Sequence, residues 1–121
     1  MNRPDYVLVV EDDEGVGEVI STILVDDGYE AVCARSAEEA LQLLQDRQPG
    51  VILLDLSVAG SHLDELVTAY RRIPNGTAPI IVVSGHPCAG HLAHTIGADR
   101  YLEKPFDIVV LLDTVAEALE R

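Results

Sequence analysis

At 121 residues, 48% of them apolar and 24% charged, the chain has the length and composition of one globular domain with a core of its own. Its 21 Asp and Glu against 8 Lys and Arg leave a net charge of −13, which argues against direct binding to DNA, RNA or an anionic membrane surface and suits basic protein partners or a divalent cation. No apolar run reaches the roughly 18 residues that cross a bilayer, and no signal-like segment precedes the first strand, so a cytoplasmic location and a single domain over residues 1–121 are expected.

The chain alternates short apolar runs with helix-period segments. Tyr6-Val7-Leu8-Val9-Val10 is a continuous β-rich run, as a strand buried on both faces should be, and it stops at Glu11-Asp12-Asp13. Val16, Val19, Ile20, Ile23 and Leu24 then recur at helical spacing, and Asp26-Asp27-Gly28 ends that helix with Gly28 as a left-handed cap. Residues 30–34 read as a second strand. Ser36-Ala37-Glu38-Glu39 is a capping box opening a helix faced by Ala37, Ala40, Leu41 and Leu44.

Pro49-Gly50 breaks that helix, and Val51-Ile52-Leu53-Leu54 forms a third strand ending at Asp55. A loop follows, then a helix marked by Leu63, Leu66, Val67 and Tyr70, then an Asn75-Gly76 turn. Ile80-Ile81-Val82-Val83 is a fourth strand closed by Ser84-Gly85. Residues 89–96 form a short helix with the weakest apolar pattern of the five, residues 100–103 a fifth strand, and Asp107 caps a last helix faced by Ile108, Leu111, Leu112, Val115 and Leu119. Strand and helix in strict alternation imply an α/β fold, a doubly wound parallel sheet with helices on both faces. With only 4% aromatic residues and no Trp, its core must be aliphatic. Cys33 and Cys88 are expected as free thiols, Cys33 packed in the core.

In a parallel sheet every strand ends at the same edge, and ligands bind in the crevice there. The residues at those ends are Glu11 and Asp12 after the first strand, Asp55 after the third, Ser84 after the fourth and Lys104 after the fifth. Three carboxylates in one cleft raise one another's pKa unless a cation compensates, and an all-oxygen acidic site suits Mg²⁺ (or Mn²⁺). A carboxylate can attack phosphorus to give an aspartyl phosphate, and phosphoryl transfer needs chiefly positioning and charge neutralisation.

Four segments carry a resemblance: Val7–Asp13, Val51–Asp55, Pro79–Ser84, and Gly97–Phe106 with its Lys104-Pro105-Phe106. In order and spacing they are similar to the signature blocks of response-regulator receiver domains. The resemblance covers essentially the whole chain and implies a flavodoxin-like, five-stranded sheet of order 2-1-3-4-5 with five helices. It implies one receiver domain over 1–121, with no output domain in this chain. Asp55 is then the phosphoacceptor; Glu11, Asp12, Asp55 and the backbone carbonyl of Ser57 hold the metal; Ser84 and Lys104 stabilise the phosphoryl group. Ser84 and Tyr101 form the switch, Ser57 and His86 tune its rate, and Lys104-Pro105 is a cis peptide. Where the family usually has Pro and Gly four and eight residues after the phosphoacceptor, this chain has Ala59 and Leu63, and His62 stands where Asp is common. The loop over 56–63 is therefore expected to take its own path.

The implied function is a phosphorylation-dependent switch fed by a histidine kinase or histidine phosphotransfer protein and read by a downstream protein. It acts as no enzyme beyond promoting its own phosphorylation and dephosphorylation. It is expected as a monomer or as a weak dimer through the fourth and fifth helices. The alternative is a pseudo-receiver, a binding module that does not cycle phosphate, which the intact Asp12, Asp55, Ser84 and Lys104 disfavour. A phosphatase with an aspartyl nucleophile would need a general acid two residues on, where Ser57 stands. Plainer readings exist: Asp12 and Asp13 as helix-start acids, Asp55 as a turn residue, Lys104 as a surface lysine, Tyr101 as edge-strand packing. His86, Cys88, His91 and His94 match no established zinc spacing and read as solvent-exposed.

Overall fold

A computed structural model of the chain describes residues 6–56, 63–85 and 89–120. Its elements alternate as β1 (Val7–Val10), α1 (Glu14–Asp26), β2 (Ala31–Ala34), α2 (Ala37–Asp46), β3 (Val51–Asp55), α3 (Leu63–Arg72), β4 (Ile80–Ser84), α4 (Ala89–Ile96), β5 (Arg100–Glu103) and α5 (Ile108–Leu119). All neighbouring strands are parallel, in the order β2-β1-β3-β4-β5. This is the flavodoxin-like arrangement expected from the sequence.

The unbroken apolar strands make sense because each has two faces to bury. Leu8, Val10, Ile52, Leu54 and Ile80 point into one core with Leu44 of α2 and Leu66, Val67 and Tyr70 of α3. Their odd-numbered neighbours Val7, Val9, Val51, Leu53, Ile81 and Val83 face the other, with Ile20 and Leu24 of α1 and Leu111 and Val115 of α5. The two cores lock the register, because a one-residue slip would exchange every side chain between them.

The local signals work through identifiable hydrogen bonds. Ser36 Oγ accepts the amide of Glu39 at 3.1 Å, and Glu39 reaches one residue beyond the cap, its Oε1 accepting the Arg35 amide at 2.9 Å. Gly28 has φ 99°, and the amides of Gly28 and Tyr29 close α1 onto the carbonyls of Val25 and Leu24. Asn75 takes φ 68°, and the Gly76 that follows has no room for a side chain, since a Cβ there would stand 2.1 Å from the Tyr70 carbonyl oxygen.

Three expectations need correction. The buried face of α1 runs through Gly17, Ile20 and Leu24, leaving Val16 exposed and Val19 60% exposed. Gly17 lies against Glu11 and Cys33, and that close approach turns Val16 and Val19 of the expected stripe toward solvent. In α5 the buried residues are Leu111, Val115 and Ala118, with Ile108 and Leu119 at the solvent-facing ends. Asp107 occupies the N-cap position of α5, but its side chain makes no capping bond.

Candidate functional site

The carboxyl edge of the sheet is assembled by main-chain bonds that carry each strand's register one step further. The Glu11 amide donates to the Ala34 carbonyl at 2.9 Å, the Leu56 amide to Val83 at 3.1 Å, and the Lys104 amide to Ser84 at 2.9 Å. The residues just beyond the apolar runs are therefore held side by side. Glu11 and Asp55 are each 3% exposed and Ser84 5%, and these three are the buried polar residues of the described chain.

Lys104 crosses this edge. Its Nζ donates to Asp55 Oδ2 at 2.9 Å, while its own side chain stays about a third exposed. The Lys104–Pro105 peptide is cis. Asp12 and Asp13 are told apart by the start of α1. Asp13 is the N-cap of α1, its Oδ1 accepting the Val16 amide at 3.1 Å, so the helix-start reading belongs to Asp13. Asp12 remains half-buried beside Glu11.

Glu11 is divided between two environments. Its Oε2 accepts the Asp13 amide at 3.2 Å, whereas Oε1 is buried with no hydrogen-bond partner. Burial pushes its carboxyl up to about 7; the adjoining Asp55 carboxyl adds to the rise, and the Asp13 amide and Lys104 oppose it. A buried, unpaired carboxylate oxygen next to a second acid is what a bound cation or its water would satisfy. Among the described residues no three His, Cys, Asp or Glu side chains form a metal cage of their own.

Tyr101 lies on β5 opposite Val82 and is 49% exposed. Its ring rests over Gly90 of α4, so the aromatic faces outward. Ser57 and His86, the expected rate-tuning positions, lie outside the described residues, as do Cys88, residues 57–62 of the loop and the Ser57 carbonyl assigned to the metal. His91 and His94 are exposed, and Cys33 is half-buried, its Sγ 3.2 Å from Ser21 Oγ.

Two residues near the site escaped the sequence reading. A Cβ on Gly17 would stand 3.2 Å from Cys33 Sγ and 3.7 Å from Glu11 Cγ, and one on Gly90 would meet the Tyr101 ring. The signal was present in both cases: a glycine inside a helical pattern carries a cost and invites a packing reason.

The sheet order and its polar carboxyl edge define a doubly wound α/β protein whose site lies where the strands end. The sequence model of the response regulator receiver domain family matches residues 7–116, and the chain belongs to that family, the receivers of two-component signalling. The nitrogen assimilation regulatory protein NtrX of Azorhizobium caulinodans is 34% identical over 94% of this chain, which covers 26% of that relative. The chain spans about a quarter of the length of the NtrX-type curated relatives it matches. A response regulator receiver protein from Burkholderia phymatum superposes with a TM-score of 0.80 at 32% identity, covering 98% of this chain and 96% of that one. The Vibrio cholerae chemotaxis protein CheY4 does so with a TM-score of 0.86 at 28% identity, over 97% and 100%.

Proposed function

We propose that this receiver takes a phosphoryl group on Asp55 from a phosphohistidine of a histidine kinase or phosphotransfer protein, and that the phosphorylated form binds a downstream protein in the cytoplasm. The carrying observation is the Lys104 Nζ–Asp55 Oδ2 contact of 2.9 Å at a nearly sealed sheet edge. A surface lysine has no reason to reach a buried acid on a strand 49 residues away, and a turn aspartate has no reason to be buried.

In the reaction an Asp55 carboxylate oxygen attacks phosphorus and forms the P–O bond as the P–N bond to imidazole breaks. The leaving nitrogen keeps the bonding pair and takes a proton. Lys104, bonded to Asp55, would follow the charge from the carboxylate to the phosphoryl oxygens, and the buried Ser84 hydroxyl at the end of β4 would donate to one of them. Glu11, Asp12, Asp55 and the Ser57 carbonyl would hold Mg²⁺ or Mn²⁺, which supplies neutralisation of the transferring group when bound. The chemistry stays on the chain's own aspartate, so the domain turns over no external substrate. Ser84 engaged by phosphate and Tyr101 turned inward would be the activated state, with Ser57 and His86 setting how long it lasts.

The test is incubation with acetyl phosphate and Mg²⁺, read by Phos-tag gel and intact mass. The native chain should acquire one phosphoryl adduct and Asp55→Asn none, since an amide is a poor nucleophile. Full labelling of Asp55→Asn would place the phosphoacceptor elsewhere; no adduct on the native chain would leave a binding module that does not cycle phosphate.

A further inference from the structure

We infer that Gly90 sets the resting position of the Tyr101 ring and thereby the threshold of the switch; this rests on the switch reading of Tyr101 given above. Gly90 is the second residue of α4, a helix that packs on β5 and β4. A methyl group built on it would stand 3.2 Å from both Cε1 and Cζ of Tyr101 and 3.4 Å from the hydroxyl. A side chain at position 90 would therefore press on the ring, which would have to give by a few tenths of an ångström.

Nothing in the backbone asks for glycine there. Among the described residues the glycines with positive φ are Gly28 and Gly97, so position 90 has a conformation open to any L-residue. Glycine is unfavourable in a helix relative to alanine, and here no turn or left-handed cap offsets that. What the missing Cβ provides is a notch, and the half-exposed Tyr101 lies in it. Filling the notch raises the energy of the outward ring while leaving Asp55, Lys104 and Glu11 untouched. An inward ring is the alternative, so the resting population shifts toward the state that phosphorylation favours. The apparent affinity for a phosphoryl mimic then rises by the same factor as the competent population.

The experiment uses the full chain labelled with 3-fluorotyrosine, with the Tyr101 resonance assigned by Tyr101→Phe. It is titrated with beryllium fluoride in Mg²⁺ and followed by ¹⁹F NMR of the tyrosines and of the bound fluoride. In Gly90→Ala the resting Tyr101 resonance should move toward the position that saturating beryllofluoride produces in the native chain. Half-saturation should fall about fivefold, the low end of ordinary two-site coupling. Gly90→Val should move both further. Alanine improves helix propensity, so Gly90→Ala tests the notch even if Gly90→Val does not fold. Gly15→Ala controls for helix propensity alone, because a Cβ there meets only the Asp13 carboxylate at 3.4 Å.

An unmoved resonance and unchanged half-saturation in Gly90→Ala would overturn the inference. So would an equal effect from Gly15→Ala, or an effect of Gly90→Ala that persists when Tyr101 is also replaced by Ala. A native Tyr101 resonance that ignores saturating beryllofluoride, while bound fluoride reports an occupied Asp55, would overturn the switch reading and the notch with it.

Discussion

Replacing Lys104 by Met keeps most of the side chain's bulk and removes its charge, which isolates what the ammonium does for Asp55. The pair is 2.9 Å long and joins a 3% exposed carboxylate to a lysine side chain that is 31% exposed. Breaking a fully buried ion pair costs about 3–5 kcal/mol, whereas exposed pairs contribute about 0–1 kcal/mol. With one partner sealed and the other a third open to screening, the expected loss is about 2 kcal/mol in metal-free protein. For a domain of this size that corresponds to a fall in Tm of about 8 °C. A cation bound at the same acids replaces the missing charge, so Mg²⁺ should stabilise Lys104→Met more than the native chain. For scale, ligand at one hundred times its dissociation constant adds about 2.7 kcal/mol. Thermal unfolding of both proteins, in EDTA and across a Mg²⁺ series, gives the four numbers required. A Tm in EDTA unchanged by the substitution, or equal Mg²⁺ stabilisation of both chains, would refute the assignment of Lys104 as the cleft's resident cation.

Other consequences can be checked on the same purified protein. Glu11 is held above its usual 4.5, at about 7, so its contribution to the stability of the metal-free fold is fully present below 4.5 and lost as pH rises through about 7. Urea unfolding in EDTA from pH 5 to 8 should show that decline, and Glu11→Gln should flatten it; an equal slope in the variant would count against the cleft as its source. Arg71 ties three segments together, donating to the Ala78 carbonyl at 2.8 Å, to the Gly76 carbonyl at 3.3 Å and to Asp99, whose Oδ2 also accepts the Ile80 amide. Arg71→Ala should therefore cost about 1.5 kcal/mol by urea unfolding, at the low end for charged hydrogen bonds because the group is partly exposed. A loss below about 0.5 kcal/mol, the ordinary scatter of surface substitutions, would show that the latch is idle.

Most of the fold was legible because its signals are local. Three short apolar runs, each cut off by acids or Ser-Gly, needed only period and punctuation to be recognised as the central strands, and Ser36 with Glu39 marked a helix start within four residues. The misjudged parts all depend on what lies across the gap. Val16 and Val19 have the right spacing for a buried stripe, but α1 turns on Gly17, whose reason for being glycine is Cys33 in β2 and Glu11 just after β1. Asp107 has the right residue type for a cap, yet type alone does not aim a side chain. Asp12 and Asp13 are indistinguishable as letters; only the start of α1 assigns the cap to Asp13.

By itself, then, the sequence determined the order of the elements, the two-faced burial of β1, β3 and β4 and the list of polar residues brought to the sheet edge, since each is encoded by neighbours a few positions apart. The tertiary structure alone decided that Lys104 meets Asp55 across 49 residues of chain, that one Glu11 oxygen is buried without a partner, and that Tyr101 rests on the bare backbone of Gly90. Those are matters of a few tenths of an ångström set by register and helix docking, and no local propensity reaches that far.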